Sequence, residues 1–229
     1  MLSNIKSTLS RNVTNALGWH TTRKIVVIES DDWGSIRMRD QKTFNDLLKA
    51  GIRVDKSRYD SLDSLETKQD LELLLEVLDK HKDQNGNPAK FTTNMVLANP
   101  DFEKIGRDRF KQYHSQSFLN SYQYYNQENL KPLWFEGIEQ KLVKPQFHAR
   151  EHFNVQLWMK DLQSQHRETQ VAFKHHFFGL KTKTSSPYLT HYLAAYEAES
   201  KQELKVLNSI IIEGLKEFEE LFGFESKSF

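Results

Sequence analysis

Two short stretches of this sequence carry residue types suited to hydrolytic chemistry. The first is Asp31-Asp32, which closes the β-branched run Lys24-Ile25-Val26-Val27-Ile28-Glu29-Ser30. Two carboxylates held close together push their proton affinities apart, so one can accept a proton while the other stays a fixed anion, for instance on a metal. The same pair, followed by Trp33-Gly34, also reads as an ordinary turn or helix cap. The second stretch is His148-x-x-x-His152. On a helical turn residues four apart share a face, and two imidazoles placed so can reach one ion. Its bland alternative is a solvated helix start, and His114, His166, His175, His176 and His191 read as surface or packing residues. Taken together, one carboxylate and two neutral imidazoles form a three-ligand set with an open position for water. A divalent ion there brings the pKa of its water toward ~7 and polarises a carbonyl, while a second carboxylate takes the proton.

Composition limits what else the chain can be. Its 229 residues include 32 basic and 31 acidic side chains, so no global field draws a polyanion, and a nucleic-acid partner is not expected. The absence of cysteine excludes disulfide scaffolds, thiolate zinc sites, iron–sulfur clusters and cysteine nucleophiles. Any metal is therefore left to His and carboxylate. No two of the nine glycines lie closer than nine residues apart, which rules out G-x-G-x-x-G, G-x-x-x-x-G-K and G-x-S-x-G. The N-terminal stretch through Lys24 is basic, free of Asp and Glu, and lacks the apolar run of a secretory signal or membrane span. A cytoplasmic location and a plain leading helix are expected.

The elements that must position the chemistry follow from periodicity. Lys24–Ser30 reads as a buried strand with its polar groups at the C-terminal end, where parallel α/β folds place their chemistry. Thr43–Ala50 reads as a helix stopped by Gly51, and Leu62–His81 as one long amphipathic helix. Lys90–Asn99 is a second strand. The Tyr-, Gln- and Asn-rich segment 101–129 reads as a polar insertion, Gly137–Val143 as a brief helix, and Pro145–Phe147 as a third strand leading into His148. Val155–Phe178 and Glu197–Phe222 are predicted helices, the second capped by Gly223. Thr182–Pro187 is a predicted loop, and a further strand is expected from Phe224. This alternation argues for an α/β fold with a mostly parallel sheet.

The segments IESDDWGS, TNMVLANPDF and PQFHAREHFN resemble the NodB-type polysaccharide deacetylase superfamily, in particular its polysaccharide deacetylase-like subgroup. The resemblance runs from about Ile25 onward and implies a deformed (β/α) barrel over residues 24–229, preceded by a leading segment over 1–23. It further implies that Asp31 is the general base and that Asp32, His148 and His152 hold a divalent metal, most readily Zn²⁺. A metal-bound water would then attack an acetamide or acetyl ester on a sugar or glycan precursor, with acetate leaving. Trp33 and Arg150, which sit within these motifs, are expected to contact the substrate.

The chain departs from the family pattern in three ways. Ser30 stands where Thr-Phe is usual, and Trp33 intervenes before Gly34. The interval from Asp32 to His148 is long. The family's later strand-end and Leu-x-His motifs do not occur after His152, so the barrel is expected to be incomplete at its C-terminus and to lack its general acid. Two rival readings remain: a catalytically degenerate glycan-binding relative, whose aromatic residues Tyr122, Tyr124, Tyr125, Trp134 and Phe135 could stack on sugars, and an inverzincin-type protease. The latter would use His148, Glu151 and His152 within a helix.

Overall fold

The computed structural model describes residues 2–16, 18–183 and 190–228. It is a mixed α/β arrangement around two small sheets. Parallel strands β1 (Glu29–Trp33), β2 (Phe91–Val96) and β5 (Val143–Ala149) lie in the order β1-β2-β5. Strand β3 (Ala98–Pro100) pairs antiparallel with β4 (Ser115–Ser117). No closed barrel is seen among the described residues.

The β-branched run does not form the buried strand expected of it. Ile25 to Ile28 are exposed and precede β1, although the Ile28 carbonyl still accepts a hydrogen bond from Thr92 N at 2.9 Å. An apolar parallel strand is buried only when layers cover both faces and a neighbour lies on each side. Among the described strands β1 has β2 alone.

The described residues form ten helices: α1 (Leu2–Ala16), α2 (Gln41–Lys49), α3 (Arg58–Leu62), α4 (Lys68–Lys80), α5 (Phe102–Arg107), α6 (Phe118–Ser121), α7 (Lys131–Glu139), α8 (Val155–Gln163), α9 (Arg167–Lys174) and α10 (Lys201–Phe222). Helix α2 ends before Gly51, whose φ is 88°. The long helix predicted over 62–81 is divided. Asp63 leaves the helical region at φ −84°, ψ 87°, and its carbonyl accepts from Met38 N; Thr67 then opens α4 through a reciprocal capping box with Asp70. The predicted helix over 155–178 is likewise broken where Gln165 takes a φ of 56°. Helix α7 begins earlier than predicted, and Val143, expected to be helical, instead starts β5.

The 101–129 segment is not an appendage. It carries α5, β4, α6 and a π-helical turn, Tyr122–Asn126, and it sends Phe118 and Tyr122 fully into the core. That core joins Met95, Val143 and Phe147 of the sheet to Leu71 and Leu78 of α4, Trp134 of α7 and Phe218 of α10. Tyr122 and Trp134, candidate sugar-stacking residues, are therefore core residues, whereas Tyr124 is exposed. Gly214 lets α10 approach β5, since a Cβ there would lie 2.7 Å from the Phe147 ring. Residues 224–228 form no strand: Lys227 N and Ser228 N donate to Gln146 Oε1, and Phe147 N donates to Ser226 Oγ. Most of the predicted 182–187 loop lies outside the described residues.

Candidate metal centre

The site begins with an irregularity in β1. Its register against β2 shifts between Ser30 and Trp33, and between them Asp32 has a φ of 67°. That left-handed conformation is uncommon for residues with a side chain, though Asp tolerates it better than most, and a bulge is the usual way a strand re-aims a side chain. The two aspartates consequently find different partners. Asp31 is exposed, and its Oδ1 accepts from Asn94 Nδ2 on β2 at 2.7 Å. Asp32 turns toward β5, where its Oδ1 lies 3.5 Å from His148 Nε2 and 3.7 Å from His152 Nδ1.

The chain beyond the bulge is clamped from a second direction. Ile36 N donates to Asn99 Oδ1, while the amide of Asn99 donates to Gly34 O at 2.8 Å and Ser121 Oγ at 3.0 Å. Gly34 itself has a φ of 86°, and a Cβ there would fall 2.7 Å from Val96 O. Only glycine fits both the backbone conformation and that close approach.

The two histidines do not share a helix face. His148 belongs to β5 and His152 to the bend that follows, which brings their rings into a stack with centroids 4.9 Å apart. The helical reading of His-x-x-x-His is thus corrected: the strand ends, the chain folds back, and proximity comes from that turn. Glu151, the base of the protease reading, is buried and paired with Arg150, whose Nε lies 2.8 Å from Oε2. Arg150 also reaches Glu213 at 2.5 Å, so its guanidinium is committed to two carboxylates. Trp33 packs edge-on against Phe91 and Trp134 at 5.9 and 5.6 Å between ring centroids.

One ligand atom from each of Asp32, His148 and His152 lies within 4.8 Å of the others. Asp32 Oδ1 and His152 Nδ1 are buried without a hydrogen-bond partner. Buried polar atoms are seldom left so, because each forgoes its hydration without compensation. A shared cation would satisfy both: ligand atoms ~2.1 Å from a tetrahedral ion stand roughly 3.4 Å apart. The donor set therefore fits a divalent metal. Burial holds the His152 imidazole below its usual pKa, opposed by Asp32 and reinforced by His148 and Arg37. It is thereby kept in the neutral form a metal requires.

Three residues not read as functional from sequence support this centre: Asn94, Asn99 and Arg37. Arg37 is buried, with Nη2 3.6 Å from Asp32 Oδ2 and Nη1 3.3 Å from Asp63 Oδ2. Burial pushes the Asp63 carboxyl up to about 6 despite that guanidinium. Arg37 stands out in the sequence as a charge between Ile36 and Met38, and Asn94 and Asn99 are amides within the strand-like run 90–99. Comparison of the chain with family models, with curated proteins and with solved structures found no match.

Proposed function

We propose that this chain is a metal-dependent hydrolase that removes N- or O-linked acetyl groups from a carbohydrate. The observation that carries the reading is the convergence of Asp32, His148 and His152, with two orphaned ligand atoms, beside a second carboxylate held by Asn94. One carboxylate and two imidazoles are a donor set that suits Zn²⁺ and leaves positions open. When bound, such an ion supplies an acidified water and a Lewis acid for the carbonyl oxygen.

The chain's own residues supply the remainder. Asp31, exposed and oriented by its hydrogen bond from Asn94, accepts the proton from the attacking water. Asp32 keeps one oxygen toward the histidines while Arg37 neutralises the other. The sheet order β1-β2-β5, with both constellations at the C-terminal ends of parallel strands, is compatible with an arc of a deacetylase-type (β/α) barrel. The protease reading loses support because residues 148–152 are not helical and Glu151 is held by Arg150.

The test combines metal analysis with acetate release from N-acetylglucosamine oligomers and O-acetylated sugars in the presence of Zn²⁺. Wild type should bind one ion and release acetate. Asp32→Asn should lose both, and Asp31→Asn should keep the ion and lose turnover. Metal binding without acetate release from any acetylated sugar favours the glycan-binding relative, and failure to bind an ion overturns the hydrolase reading.

A further inference from the structure

The near-neutral charge of the whole chain conceals a sharp local imbalance. Lys6, Arg11, Arg23 and Lys24 precede Glu29, and no acidic residue does, so 28 of the 32 basic residues are left to face all 31 acidic ones in the remainder. The same segment holds much of the exposed apolar surface. Ile5, Leu9 and Val13 recur every four residues along α1 and are all exposed. Trp19 is 78% exposed, and the run Ile25–Ile28 follows, with Val26 84% exposed. Every described side chain of α1 from Ile5 to Ala16 faces solvent. A 15-residue helix whose described side chains all face solvent gains little from packing and is only marginally stable in water by itself.

We propose that residues 2–16 and 18–28 form a docking element for an anionic lipid bilayer, lying in the plane of its surface. No helix of the described chain is long and apolar enough to cross a membrane, and a single apolar stripe bordered by polar residues suits the head-group boundary instead. Four cations without a counter-charge complement acidic lipids, and an exposed tryptophan between helix and strand is the side chain most favoured at that depth. A polyanion such as RNA would engage the cations and leave the Ile5-Leu9-Val13 stripe in water. Because the rest of the molecule is slightly acidic, this element and not the body carries the attraction. The proposal is independent of the chemistry at the metal centre.

The full chain is sedimented with phosphatidylcholine vesicles that contain or lack about 30% phosphatidylserine. Binding to the anionic vesicles should be at least about tenfold tighter than to the neutral ones and should weaken with salt. The double variants Lys6→Glu/Arg11→Glu and Leu9→Ser/Val13→Ser should each lower it by about tenfold or more. Tryptophan emission should shift to the blue on binding in wild type and not in Trp19→Phe. The substituted side chains are exposed, and unchanged circular dichroism of the free variants verifies the fold. No sedimentation, or equal binding to both vesicle types, overturns the proposal. So does RNA binding that is stronger than vesicle binding and indifferent to Leu9→Ser/Val13→Ser. Self-association abolished by that same variant also overturns it and assigns the face to a second copy of the chain.

Discussion

Arg37 and His148 share the Asp32 carboxylate from opposite ends: the guanidinium lies 3.6 Å from Oδ2 and the imidazole 3.5 Å from Oδ1. The arginine is buried and is itself anchored by Asp63. Outer partners of this kind fix a ligand's orientation, and their loss typically weakens metal affinity 10–100-fold. Arg37→Met is expected to weaken Zn²⁺ binding within that range, measured by competition with a chromophoric chelator. Arg37→Lys should recover part of the loss by restoring the charge without the fork. An affinity unchanged in Arg37→Met would show that Asp32 needs no such support.

If Asp32 Oδ1 and His152 Nδ1 await an ion, occupancy must stabilise the fold. Saturation at about one hundred times the dissociation constant contributes ~2.7 kcal/mol to unfolding free energy. Thermal unfolding with Zn²⁺ should therefore occur at a higher temperature than after chelation, and His152→Ala should remove most of that difference. Identical melting curves with and without the metal would argue against the centre.

Gly34 tests the backbone that delivers Asp32. Its φ of 86°, and the 2.7 Å that would separate an added Cβ from Val96 O, leave no room for a side chain. Gly34→Ala should destabilise the fold by about 2–4 kcal/mol and displace the bulge. The measurement is denaturant unfolding alongside metal affinity, and a variant normal in both would show that the loop adapts freely.

Glu66 makes stability depend on pH. Burial pushes its carboxyl up to about 7, although Tyr122 donates a hydrogen bond to it. In the unfolded chain it titrates near 4.5. Between those values the folded state binds the proton more readily, so stability is fully present below about 4.5 and is lost as pH rises toward about 7. Asp60 and Asp63, both raised to about 6 by burial, add to the same trend. Glu66→Gln should leave stability at pH 5 nearly unchanged and raise it at pH 8 by about 2 kcal/mol, with allowance for partial exposure. Equal melting shifts at both pH values would refute this assignment.

Several elements were legible in the residues because their signals are local. Helices α2 and α10 end where Gly51 and Gly223 take positive φ, and α1 follows its own spacing. The capping pair Thr67 and Asp70 is equally local, yet the helical pattern over 62–81 obscures it. That helix is divided because Asp63 serves a distant backbone amide and a distant guanidinium, which periodicity does not register. Ile25–Ile28 have the composition of a buried strand, but burial depends on which neighbours arrive.

By itself the sequence determined the chemical inventory: no thiol, two adjacent carboxylates and two histidines four residues apart, hence a metal held by oxygen and nitrogen or none. It also determined that the cations before Glu29 lack a local counter-charge. Only the tertiary structure decided that Asp31 and Asp32 part company at a bulge, that the histidines meet across a strand end, and that Arg37 and Asn94 hold the two carboxylates. Residue types are a property of the chain, whereas ligand spacing is set by β1, β2 and β5 lying side by side. Those contacts join residues more than fifty positions apart, and no local pattern encodes them.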